Sequence, residues 1–174
     1  VTERFAAEVR GEPHPTLTSG TSIHLDLQSQ PNLLEPIMRY TLFETRNDEL
    51  ILAARILLML LFVLFGWSKL TGFSGTVAYM TQTGAPMPEV SAIIAVVMEF
   101  AVGIAIVVGF YTRPLAILLA LYTLGTALIA HHYWTMSGME QYMNMINFYK
   151  NVSIMGGLLL LSLTGPGKYS IDRK

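Results

Sequence analysis

Four apolar runs, each about as long as a bilayer's hydrocarbon core is thick, constrain this chain more than any other feature. They cover about Leu50–Leu70, Val90–Tyr111, Leu115–Trp134 and Phe148–Thr164. A membrane-spanning helix needs about 20 predominantly apolar residues. Lipid offers backbone amides no hydrogen-bond partner, so each run must satisfy its own as a helix. The expected fold is all-α, an integral membrane four-helix bundle. Charge placement agrees. Residues 1–50 hold eight of the twelve acids, whereas residues 51–167 hold only Arg55, Lys69, Glu89, Glu99, Arg113, Glu140 and Lys150. Charged residues are 13% of the chain, against about 25% in soluble domains. The expected partner is the lipid bilayer.

Residues 1–37 read as a disordered tail, broken by Pro13, Pro15, Pro31 and Pro36 and rich in Ser, Thr and Gln. His14 and His24 in it read as solvated, not as a metal site. Val1 fits either a GTG start or an over-extended start, and the layout favours Met38, with residues 38–49 as a cytoplasmic lead-in. A net charge of −1 and the lack of any basic run exclude nucleic acid as a partner. The absence of cysteine excludes disulfide exchange, thiolate catalysis and iron–sulfur ligation by this chain.

The connectors differ. Thr71–Glu89 carries Gly72, Gly75, Gly84, Pro86 and Pro88, with room for a short interfacial helix near Thr76–Gln82. Thr112-Arg113-Pro114 is a tight turn, and Pro114 suits a helix's first turn. Four spans put both termini on one side. That side collects Arg39, Arg46, Arg55, Arg113, Lys168, Arg173 and Lys174, and the other only Lys69 and Lys150. The positive-inside rule then makes both termini cytoplasmic.

Glu99 is the candidate that charge and depth single out. It lies about 13 Å along the second span, near mid-membrane, where an ionisable group is costly and usually faces the bundle. Ala95 and Gly103, one turn either side, let another helix approach that face. Its carboxyl is either a proton-relay group beside a redox ligand or a structural member of a buried pair. Lys69 and Lys150 are its candidate partners, and each alternatively snorkels to the headgroups. Asn144, Asn147 and Asn151 form one polar stripe entering the fourth span, suited to a small outward-opening cavity or to interhelical hydrogen bonds.

His131 and His132 end the third span. Adjacent histidines point about 100° apart, and no other span carries one, so neither a haem nor a metal is expected. His131 is a candidate proton carrier or donor to a quinone carbonyl, against a plain interfacial role. Glu99, His131 and Lys150 are thus the candidate catalytic residues; Lys69, Asn147, Asn151 and Trp134 are candidates for holding a ligand. Arg55 and Arg113 read as lipid-phosphate contacts. Ala101, Ala105 and Gly109 form a small-residue stripe for internal packing or for contact within a homo-oligomer.

From about Ala53 onward the chain resembles the DoxX family of bacterial membrane proteins. The likeness rests on Ala54-Arg55-Ile56-Leu57-Leu58, Gly66-Trp67-Ser68-Lys69-Leu70, Gly72-Phe73-Ser74-Gly75-Thr76 and Gly84-Ala85-Pro86-Met87-Pro88. It continues through Glu99, Gly109-Phe110-Tyr111-Thr112-Arg113-Pro114, His131-His132-Tyr133-Trp134, Phe148-Tyr149-Lys150-Asn151 and Gly165-Pro166-Gly167. The resemblance implies a four-helix inner-membrane protein. It also implies an association with quinone-linked redox systems, through thiosulfate:quinone oxidoreduction or oxidative-stress complexes. No site residue is carried over from the family. A membrane subunit or accessory of such a system, with a quinone as ligand and a redox partner protein, is the first expectation. A non-enzymatic scaffold that docks a soluble partner is the second.

Overall fold

The computed structural model describes residues 44–172. The expected tail over 1–37, its His14 and His24, the Met38 start, most of the 38–49 lead-in and Arg173 and Lys174 lie outside the described residues. A single 3₁₀ turn, Glu44–Arg46, leads into α1 (Asn47–Thr71). A short helix α2 (Phe73–Gln82) follows, then α3 (Pro88–Val108), α4 (Thr112–Ala130), a 3₁₀ turn at Tyr133–Thr135 and α5 (Gly138–Thr164). Four of these five helices are long and apolar enough to cross a membrane.

Burial is inverted relative to a soluble bundle. Leu57, Leu121, Leu160 and Leu163 point outward, the last 74% exposed. A narrow interior seam of Met59, Phe62, Met98, Ile106, Leu119 and Leu158 joins the four spans. Hydrophobic residues on the outside are stable there only in contact with lipid.

α1 and α3 approach backbone to backbone. A Cβ on Gly66 would lie 2.6 Å from the Phe100 nitrogen, and one on Gly103 would lie 3.2 Å from Val63 Cγ2. In lipid, small residues gain association free energy by exactly this route of close van der Waals contact. At the crossing α3 is not regular: Val97–Val102 is a π-helical turn. Such turns are rare and recur at functional sites.

The second span ends on Gly109, in the left-handed region at φ 76°. Its missing side chain leaves room for the returning C-terminal segment. A Cβ there would fall 2.8 Å from Ser170 Cα and 2.9 Å from the Arg55 guanidinium. Thus Gly109 of the small-residue stripe packs internally, while Ala101 is exposed.

Both arginines read as phosphate contacts have backbone partners instead. Arg55 is 2% exposed and donates through Nη1 to the Pro166 carbonyl and through Nη2 to the Tyr169 carbonyl, both at 2.5 Å. Arg113 donates to the carbonyls of Ser162, Leu163 and Thr164. The physical reason is that a helix end leaves carbonyls without intrahelical donors, and in a membrane protein a planar guanidinium meets several at once. Two carboxylates complete this end: Asp172 accepts from the Thr112 amide and Asp48 from the Lys168 amide.

The largest difference from the expected spans is in α5, which begins at Gly138 rather than near Phe148. Glu140, Gln141, Asn144 and Asn147 lower the hydropathy there, but no proline or internal glycine interrupts the helix before Gly156. Its 27 residues make it about 40 Å long, against about 30 Å of hydrocarbon. α5 therefore extends past the apolar layer.

Candidate functional site

A cavity of about 550 Å³ opens between the helices at the end of the bundle remote from Arg55. α1 contributes Phe62, Phe65 and Lys69, α3 contributes Ile94, Ala95 and Glu99, and α4 contributes Tyr122 and Thr126, with His131 just past its end. α5 contributes Asn147, Lys150 and Asn151, and α2 with its following loop contributes Tyr79, Met80, Thr83 and Ala85. The walls are mostly apolar, with a few converging polar groups. That pattern, at this volume, is typical of small-molecule sites.

Glu99 is held in the π-helical turn, 9% exposed. Lys69 Nζ donates to its Oε2 at 2.5 Å, and the Tyr122 hydroxyl donates to its Oε1 at 2.7 Å. Each carboxylate oxygen thus has one charged or hydroxyl donor from a different helix. Of the two candidate lysines, Lys69 is the partner. It also lies 5.7 Å from the centre of the Phe65 ring, and its own carbonyl accepts from Thr76 Oγ1 of α2 at 3.2 Å. This last bond fastens the interfacial helix to the acid–base cluster.

Lys150 stands apart. Its ammonium donates to Asn147 Oδ1 at 2.9 Å. Asn144 is engaged elsewhere. His131 Nδ1 lies 3.0 Å from Asn144 Oδ1, an oxygen that can only accept, so the imidazole carries its proton on Nδ1. The Asn144 amide nitrogen in turn donates to the Glu140 carbonyl. His132 turns away and donates to the Ile129 carbonyl at 2.8 Å.

Of the residues expected from sequence, Glu99, Lys69, His131, Asn147, Lys150 and Asn151 share the cavity wall. Trp134 does not; it packs edge-on against Tyr133 and Phe148 and is 54% exposed. Two tyrosines escaped the sequence reading. Tyr122 looks like one more bulky residue within an apolar run, and nothing local reveals its bond to Glu99. Tyr79 lies on α2, where burial and then the Glu99 carboxylate raise its phenol above the ordinary tyrosine pKa. It stays a neutral hydroxyl at any physiological pH.

Beside the cavity lies a polar recess of about 540 Å³, lined by Gln82, His132, Thr135, Ser137, Glu140 and Asn144. Tyr79, Thr83 and Ala130 line both spaces. No group of His, Asp and Glu among the described residues is arranged to hold a metal ion.

The molecule is a four-span membrane protein with an acid–base cluster of Glu99, Lys69 and Tyr122 facing an interior cavity. Comparison with known proteins gives the family. The DoxX family profile matches residues 50–132. The inner membrane protein YphA of Escherichia coli is 57% identical over 137 residues, which is 79% of this chain and 98% of that protein. The inner membrane protein YqjF of the same organism is 44% identical over 130 residues, 73% of this chain and 92% of the relative. The ER-derived vesicles protein ERV29 of Saccharomyces cerevisiae is 29% identical over 134 residues, but this spans only 36% of its length. No solved structure matches. The chain belongs to the DoxX family.

Proposed function

We propose that this protein is an inner-membrane subunit or accessory of a quinone-linked redox system, with both termini in the cytoplasm and the cavity as its quinone site. The cavity carries the reading: it has room for a ring, and Glu99, Tyr122, Lys69 and His131 line it. Quinone reduction takes up two electrons and two protons. The chain's part is to hold the ring and supply exchangeable protons from groups that already hydrogen-bond one another. The electrons come from a redox partner protein, and with no cysteine here any sulfur chemistry belongs to that partner as well. The relatives named as inner membrane proteins support the location.

One observation favours the second reading, a scaffold that docks a soluble partner. Both Glu99 oxygens are already occupied within the chain, so the cluster is also suited to holding helices together. Native mass spectrometry after gentle extraction separates the two. A bound quinone or a stoichiometric redox partner is expected; a chain carrying only lipid moves the assignment to the scaffold. Glu99→Gln alone strands the Lys69 charge, so it is paired with Glu99→Gln/Lys69→Met, which removes both charges. A double variant that folds normally but extracts without quinone supports the site. One that retains quinone refutes a role for the ion pair in binding.

A further inference from the structure

We propose that the cavity selects lipophilic ligands bearing an anionic oxygen, an aromatic carboxylate or an ionised ring hydroxyl, and that Lys150 is the residue that binds that oxygen. The inference rests on reading the cavity as a ligand site, but not on the ligand being a quinone.

The charge balance of the wall carries it. Three charged side chains line the cavity: Lys69, Glu99 and Lys150. Lys69 and Glu99 meet at 2.5 Å and cancel. The Tyr79 and Tyr122 hydroxyls add no fixed charge. Glu140 lies in the neighbouring recess and not in the cavity. Of these three charges, the one on Lys150 is left without a counterpart.

The lack of a counter-charge makes that cation consequential. Lys150 is the thirteenth residue of α5, about 18 Å from its start, and its exposed side chain lines the cavity. Among the described residues no carboxylate lies within ion-pair distance of it. Its one hydrogen-bond partner, the Asn147 amide oxygen, is neutral. An ammonium donates three hydrogen bonds, so two remain for a ligand. A cation at membrane depth normally pairs with an acid or faces a polar cavity that serves function. Here the cavity is present and the acid is already taken by Lys69. A ligand anion supplies what the protein does not, while the apolar walls from Phe62, Phe65 and Ile94 take the ring or chain behind it.

The test uses the full chain in phosphatidylcholine nanodiscs at neutral pH, with three probes of similar size: 2-naphthoate, 1,4-naphthoquinone and 2-hydroxy-1,4-naphthoquinone. The two anions are expected to bind at least about tenfold more tightly than the neutral quinone, equal to ~1.4 kcal/mol. Lys150→Gln is expected to abolish the preference and Lys150→Arg to keep it, both with an unchanged melting profile. Binding of naphthoate but of neither quinone upholds the proposal and removes the quinone reading. Equal binding of both quinones, unaffected by Lys150→Gln, overturns the proposal and leaves the quinone reading standing. Failure of all three probes overturns both. Displacement of the anions by phosphatidylglycerol titrated into the disc puts a lipid phosphate on Lys150 and also overturns it.

Discussion

Replacing Gly66 with alanine puts a methyl group where α1 and α3 touch through their backbones. The new Cβ would lie 2.6 Å from the Phe100 nitrogen and 2.8 Å from the Glu99 carbonyl carbon. Restoring an ordinary contact of 3.4 Å requires the two helices to part by about 0.8 Å. Neither atom belongs to a flexible side chain, so the whole π-helical turn must move. Overpacking of this kind costs about 1–3 kcal/mol. Gly125→Ala is the control. Gly125 also sits inside a spanning helix and lines the cavity, but nothing lies within 4 Å of its would-be Cβ. There the helix gains about 0.5–1 kcal/mol from the lost freedom of glycine. The two identical substitutions should therefore differ by about 1.5–4 kcal/mol. Unfolding in mixed detergent–SDS micelles, followed by tryptophan fluorescence, measures it, and Trp67 next to the crossing, 5.5 Å from the Phe100 ring, reports locally. A midpoint for Gly66→Ala at or above that of Gly125→Ala would refute the backbone-contact account of the α1–α3 crossing.

Two further outcomes are expected. Arg55→Ala leaves two carbonyls of the C-terminal segment without their donors. Bonds from a charged group are worth about 1.5–3 kcal/mol each, so the variant should lose stability and expose residues 165–172 to limited proteolysis; continued protection would show that Arg55 does not hold the segment. The absence of native cysteine allows a clean orientation test. Met139→Cys at the start of α5 and Ile171→Cys in the segment that follows its end are both exposed positions. A membrane-impermeant maleimide added to intact cells should label the first and not the second, and the reverse pattern would invert the proposed topology.

The spans were legible because lipid imposes a length and a composition that few other environments do. The α5 start was not, since hydropathy reports the apolar layer while the helix runs on through polar residues that break nothing. Glu99 stood out because a carboxyl amid Ile, Val and Ala at that depth is costly unless it is paired or used. Its partner was ambiguous: both lysines lie on the correct side, and the choice depends on how α1 is rotated against the π-helical turn, which leaves no periodic signature. Arg55 misled for a similar reason. An arginine near a span end usually meets a phosphate, and its actual acceptors are carbonyls 111 and 114 residues away. Backbone acceptors carry no side-chain identity, so no sequence pattern announces them.

The two ends of the bundle are built on different terms. At the end holding Gly165–Asp172, charged side chains meet backbone: Arg55, Arg113, Asp48 and Asp172 each bond to main-chain groups of another segment. Such contacts fix the relative positions of α1, α4 and α5 and leave no charge facing a cavity. At the other end charged and polar side chains face a space: the Lys69–Glu99 pair and His131 line the cavity, His132 and Asn144 border the polar recess, and Lys150 has only an amide. α2 covers this end, and the hydroxyl of Thr76 ties it to the cluster through the Lys69 carbonyl. The close backbone packing of Gly66 against the π-helical turn lies between the ends. Rigidity is thus concentrated behind the cavity and recognition groups in front of it. Variants at the clamped end should therefore alter stability before they alter binding.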